Sequence, residues 1–283
     1  MRKIMFLIVI VLNSIILINA CKKDKLVEQL EFDTQTSEDN SLAEGTFNDV
    51  NNITGQAMEN DSLSTYRLES PQNTLFSACA TVTKTPNGSG GGTIIVNFGP
   101  SNCKCRDLRY RRGIININYT GSYRDSGTVI VTTFENYFVG RDSTRMFQVT
   151  GSKTVNNNGR NAAGNLNYSI SVDGHMINSQ GSEMTWSSVR NREWISGSNT
   201  PLNWQDDEYV ITGTASGTNF EGNSFQVTIT HGLHIEFCPY ITEGTFELTP
   251  SGKPTRTFDY GDGTCDALAT LTVNGRTFNI TLR

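Results

Sequence analysis

Histidine is nearly missing from this chain, and with it goes most of the metal and acid–base chemistry that a sequence can announce. There are three, His175, His231 and His234. The last two are three apart, so on a strand they point to opposite faces and cannot share a ligand. No serine or cysteine stands in a nucleophile-elbow context, and Gly88-Ser89-Gly90-Gly91-Gly92 lacks the lysine and following helix of a phosphate loop. Basic clusters are absent too: a net charge of −5 and a pI near 5.3 argue against a nucleic-acid partner. The longest apolar run, Ile4 to Ile18, covers 15 residues, and a membrane-spanning helix needs about 20. Glu183 and Glu193 share one predicted strand ten residues apart. At about 3.3 Å per residue they stand roughly 33 Å apart, too far for a glycosidase pair, which needs about 5 to 9.5 Å. No catalytic set and no cofactor are expected.

What is present begins at the amino terminus. Arg2 and Lys3 precede the apolar run, and small Ala20 precedes Cys21, so residues 1–20 read as a secretory signal peptide. Ile18-Asn19-Ala20-Cys21 resembles a bacterial lipobox. That resemblance implies that Cys21 becomes the lipidated first residue of the mature protein. Several acyl chains, at about 0.8 kcal/mol per buried CH₂, hold a protein at a membrane where a single chain is marginal. Between Lys22 and Pro71 stand eleven acids and only four bases, so this stretch is more acidic than the whole chain. Residues 21–71 are expected to be a solvated, lipidated tether, with a short amphipathic helix around Phe47, Val50, Ile53 and Met58.

From residue 72 to 283 the pattern has period two. Ile115, Ile117 and Tyr119 alternate with Asn116 and Asn118, and Leu166, Tyr168, Ile170 and Val172 alternate with Asn167, Ser169 and Ser171. One apolar and one wet face per strand is the antiparallel signature. Turn signals fall at Pro86-Asn87-Gly88, Asn157-Asn158-Gly159, Val172-Asp173-Gly174 with His175 just after it, Ser251-Gly252 and Asn274-Gly275. The expectation is an all-β domain, a large antiparallel meander or sandwich of about a dozen strands. A transmembrane barrel, the rival architecture, would have no use for a lipid anchor.

Related hairpin units occupy both ends of that domain. Thr93 to Gly99 matches Thr255 to Gly261, and both Cys103 with Cys265 and Gly113 with Gly275 repeat at an offset of 162. With Cys21 assigned to lipid, five cysteines remain, which allow fifteen ways of forming two bridges. The repeat selects Cys79 with Cys103 and Cys238 with Cys265, leaving Cys105 over because its sister position is Ala267. Each bridge stabilises by roughly 3 to 4 kcal/mol in the chain-entropy model, and export supplies the oxidising compartment. Asp259, Asp262 and Asp266 on the second glycine turn are a calcium candidate. The sister positions are Asn97, Pro100 and Lys104, so a turn joining two strands is the simpler role.

One cluster suits ligand binding: Trp194, Trp204, Asp206, Asp207 and Tyr209 combine aromatics with acids, as sugar stacking and hydrogen bonding require. The alternative is a polar strand entry beside a core tryptophan. The Cys21-Lys22-Lys23-Asp24 start, the paired aromatic-glycine turns and the closing Asn274-Gly275-Arg276-Thr277-Phe278 strand resemble a family of cell-envelope lipoproteins of the Bacteroidota type. The resemblance implies an outer-membrane location and carries no catalytic residue. The expected function is a non-enzymatic binding or interaction module, anchored by lipid, whose partner is a glycan or an envelope protein; a hydrolase acting on envelope polymers is the alternative. Replacing Cys21 with serine is expected to move the protein from the membrane to the soluble fraction on ultracentrifugation. Full membrane retention of that variant would contradict the anchor.

Overall fold

The computed structural model describes residues 34–59, 66–67, 80–200 and 203–282. The segment read as a signal peptide, Cys21 and Cys79 lie outside the described residues. Among the described residues, fifteen strands follow one helix. The strands form a single antiparallel sheet in which almost every strand pairs with its neighbours in sequence, from β1 (Tyr66–Arg67) to β15 (Arg276–Thr281). The one departure is the short β4 (Cys103–Lys104), which lies off the path and pairs with β5 (Tyr110–Tyr119). This is an all-β meander in one sheet, not two stacked sheets. Its local logic is the predicted one: in β8 (Leu166–Ile177), Leu166, Tyr168, Ile170 and Val172 are buried while Ser169 and Ser171 are exposed. Asn274 and Gly275 join β14 (Leu268–Val273) to β15 with φ of 50° and 74°, the double positive φ that a two-residue hairpin demands.

The helix α1 (Gln35–Glu59) overturns one expectation. This part of the predicted tether is 25 residues of helix, and none of them is exposed. The sheet curls around it. Side chains from β2 (Thr81–Pro86), β5, β6 (Val129–Asp142), β7 (Arg145–Arg160), β9 (Glu183–Ser196) and β13 (Arg256–Asp262) all reach it, through Lys84, Arg111, Thr132, Lys153, Arg190 and Tyr260. Asparagine, threonine and glycine make α1 a poor helix by propensity, so tertiary packing holds it. Its acids were read as solvated charge, but two of them are buried counterions. Asp49 grips Arg111 at 2.6 and 3.3 Å, and Glu44 grips Arg190 at 2.6 Å, with all four side chains at most 5% exposed. Arg111 also bonds Asp107. Lys153 donates to the Phe47 carbonyl and to Asn51 Oδ1 at 3.1 and 2.5 Å. Burial first, then the nearby Arg192 guanidinium, holds its ammonium well below the ordinary lysine range.

Phe47 accounts for a second correction. Val172-Asp173-Gly174, read as a turn, lies inside β8, and His175 faces Glu183 of β9 at 3.2 Å. Gly174 is there because the Phe47 ring sits on it: a Cβ at that position would stand 2.2 Å from the ring. Phe47 then stacks on Trp186, centroids 5.4 Å apart, and Trp186 Nε1 donates to Asn40 Oδ1. Asn157-Asn158-Gly159 is likewise an irregularity near the end of β7, where the pairing register with β8 shifts.

The repeated unit is real in three dimensions. Asn97 Oδ1 accepts from Gly99 N at 2.7 Å, and Asp259 Oδ1 accepts from Gly261 N at 2.9 Å, with both glycines at positive φ. Phe98 and Tyr260, between them, are buried in the core. The other two candidate calcium carboxylates also cap their own backbone, Asp262 on Thr264 and Asp266 on Leu268, so all three serve turns. Cys238 and Cys265 are bridged, joining the loop before β12 (Glu243–Pro250) to the loop before β14. Cys103 is disulfide-bonded and Cys105 is a buried free thiol, pushed up in pKa by burial.

Because α1 buries its charges against the sheet, Glu44→Ala leaves Arg190 unpaired in the interior and is expected to lower the unfolding free energy by about 3 to 5 kcal/mol. Urea unfolding at neutral pH measures this. A loss below about 1 kcal/mol, the range of exposed pairs, would show that the pair is not buried in solution.

Candidate functional site

One stripe of α1 is covered less completely than the rest of the helix. Gly45, Asn52, Gln56 and Glu59 recur at helical spacing, are only half buried, and look into a crevice of about 630 Å³. That volume falls in the range of small-molecule sites, about 300 to 1,000 Å³. The opposite wall comes from the segment leading into β10 (Glu208–Thr218), which supplies Trp204 and Asp207, from Tyr209 at the start of that strand, and from the loop after β11 (Ser224–Ile235), which supplies Phe237 and Tyr240. A third edge is the loop between β4 and β5, with Arg106, Asp107, Leu108 and Arg109. The crevice is thus amide and carboxylate on the helix side and aromatic on the other.

The predicted cluster divides here. Trp204, Asp207 and Tyr209 line the crevice. Trp194 is 1% exposed and lies behind, packed against Tyr209 with centroids 5.2 Å apart and covered by the Arg124 guanidinium at 4.4 Å. It is a core residue that supports the wall. Asp206 turns away and accepts from Thr200 Oγ1 at 2.8 Å. Trp204 packs edge-on against Phe237 at 4.6 Å, and Phe237 is 55% exposed, so the two rings form an open aromatic lip.

The charges are arranged unequally. Glu59 is paired with Arg124 at 2.5 Å. Arg192 is buried, lies 3.6 Å over the Tyr209 ring and donates to Asn52 Oδ1 at 2.7 Å. Asp207 accepts from the Tyr209 hydroxyl at 3.2 Å. Burial pushes the Asp207 carboxyl up to about 6, the Tyr209 hydrogen bond opposing and Glu59 adding to the rise. Trp204 Nε1 is a buried donor with no hydrogen-bond partner among the described residues. Such a set can hold a polar, ring-shaped molecule by stacking and hydrogen bonds.

Sequence reasoning missed the helix stripe, Arg192 and the two loops. The stripe carried a signal, since Asn48, Asn52, Gln56 and Glu59 stand at i, i+4, i+8 and i+11. It was lost because the same residues suit a solvated chain. No protein-family model matches the chain, and no curated protein or solved structure matches it either.

The position of Asp207 has a measurable consequence. Its folded pKa of about 6 lies above the usual 3.8, so the folded chain holds the proton more tightly than the unfolded one. Stability therefore falls as pH rises from about 3.8 to about 6, and the cost persists above that window. Asp207→Asn is expected to flatten the thermal-unfolding profile over this range and to raise the midpoint at pH 7. An unchanged profile in the variant would place the carboxyl in water.

Proposed function

We propose that this chain is a lipid-anchored protein of the bacterial outer membrane and a non-enzymatic binding module whose crevice takes a carbohydrate. The observation that carries the reading is the two-sided wall. Trp204 and Phe237 offer ring faces and edges on one side, while Asn52, Gln56 and Glu59 offer hydrogen-bonding groups on the other. A sugar ring has the same duality, with apolar C–H faces and a polar rim, and aromatic stacking combined with hydrogen bonding is how mixed surfaces of this kind are held. The anchoring rests on the amino-terminal pattern that ends at Cys21. A cage built largely from one continuous sheet suits a pre-formed site, because little ordering is left to be done on binding.

A second reading has one observation in its favour. Asp207, with its carboxyl near pKa 6, shares the crevice with Glu59, which Arg124 holds in an ion pair. Two carboxyls in different environments are the usual parts of a glycoside hydrolase. Turnover of an envelope polysaccharide by the purified protein, lost in Asp207→Asn, would establish that reading in place of the first.

Glycan-array screening followed by calorimetry tests the binding module. Trp204→Ala and Phe237→Ala are each expected to weaken affinity for the best glycan about tenfold, the effect of removing one stacking ring of about 1.4 kcal/mol. Unaltered affinity in both variants would remove the crevice from the binding reaction.

A further inference from the structure

A smaller cavity of about 50 Å³ adjoins the crevice and shares with it Gly45, Arg109, Pro239, Tyr240 and Ile241. It lies between α1, β6 and the loop after β11, and Arg141 completes its wall. About 10 to 15 Å³ suffices for one water, so a compact polyatomic group fits.

The charge around it does not balance. Three guanidiniums, Arg109, Arg111 and Arg141, face two carboxylates, Asp49 and Asp107. Arg111 donates hydrogen bonds to both carboxylates. Arg109 has only long ion pairs with the same two carboxylates, 3.7 Å to Asp49 and 3.8 Å to Asp107, outside hydrogen-bond reach. Arg141 forms no ion pair with any carboxylate among the described residues; it lies over the Tyr240 ring at 3.9 Å. Yet Arg109 and Arg141 converge, since both donate to the carbonyl oxygen of Pro239. Two like charges sharing one neutral acceptor in a half-buried place repel one another. Burial and Arg109 together draw the Arg141 guanidinium down to about 10. The Cys238–Cys265 bridge sits beside Pro239 and holds that carbonyl where the two guanidiniums meet. Two forked donors on a small cavity suit a planar carboxylate.

We propose that Arg109 and Arg141 form an anion site and that the sugar bound in the adjoining crevice is an acidic one, whose carboxylate this site takes. The inference rests on the carbohydrate reading for the identity of the ligand, though not for the site. The missing counter-charge is then brought by the ligand, and the site discriminates acidic from neutral sugars of one shape.

The probes are galacturonate and glucuronate oligomers and their methyl esters, which differ only in the charge of the carboxyl group, titrated calorimetrically into the mature full-length protein. The free acid is expected to bind about tenfold tighter than the ester, the worth of one charge-assisted contact. Arg141→Gln is expected to bring the two within about threefold, and Arg141→Lys, which keeps the charge, to restore part of the difference. Equal affinity of acid and ester in the wild type, or an acid preference that survives Arg141→Gln, overturns the inference while leaving sugar binding in the crevice intact. Thermal unfolding in sodium acetate against sodium chloride at equal ionic strength separates the two readings when no sugar binds. An upward shift in acetate that disappears in Arg141→Gln keeps the anion site and removes the carbohydrate, and the absence of any shift removes both.

Discussion

A long helix enclosed by a β-sheet must satisfy its polar groups from within, and that requirement governs this molecule. α1 carries Asn40, Glu44, Asp49 and Asn51 on buried positions. Buried charges are tolerated only with partners, so the inward faces of the strands carry Arg111, Lys153, Trp186 and Arg190 at positions where a simple β core would have Val or Ile. Each meets a helix group at hydrogen-bond distance. The largely apolar interior is therefore keyed by these polar pairs, and the key fixes both the rotation and the depth of the helix. The Lys84 ammonium at the Met58 carbonyl completes the lock at the helix carboxyl end.

The crevice is the remainder of this arrangement. A helix has a full circumference, and the sheet covers most of it but leaves the stripe of Gly45, Asn52, Gln56 and Glu59 half buried. The space beside that stripe is closed mainly by loops, with Arg192, Tyr209 and Ile235 added from strands, and those loops are stiffened. Arg109 ties the loop after β4 to Pro239, and the Cys238–Cys265 bridge ties the loop after β11 to its neighbour. Loops on a rigid scaffold are where binding groups are usually carried. Leu108, at φ 66° and 68% exposed, is held out at this rim between Asp107 and Arg109, whose side chains are ion-paired.

Much of the fold was legible because period-two alternation and turn chemistry are local. The hairpin at Asn274-Gly275 and the two aromatic-glycine turns were readable from a few adjacent residues, and the repeat pointed to the Cys238–Cys265 pair. Misreadings fell where a local signal was serving a distant partner. Gly174 looks like a turn residue but makes room for Phe47, more than a hundred positions away. The acids of α1 look like solvated charge, but Glu44 answers Arg190 at a separation of 146 residues. Of the aromatic cluster near residue 204, Trp204, Asp207 and Tyr209 share a cavity while Trp194 does not. Alternation along a strand says which face a residue is on, not what stands opposite that face.

The sequence by itself determined an antiparallel all-β domain, its repeated end units and the aromatic-acid segment at 204–209, since each of these is written within a span of a few residues, while the choice of one meandering sheet over a sandwich was not. Only the tertiary structure decided that residues 35–59 fill the sheet, that one stripe of that helix faces Trp204 and Phe237 across a crevice, and that Arg109 and Arg141 meet at Pro239. These are pairings between groups far apart along the chain. They form because burying a charge or a donor without its complement costs more than ordering the chain to bring the complement there.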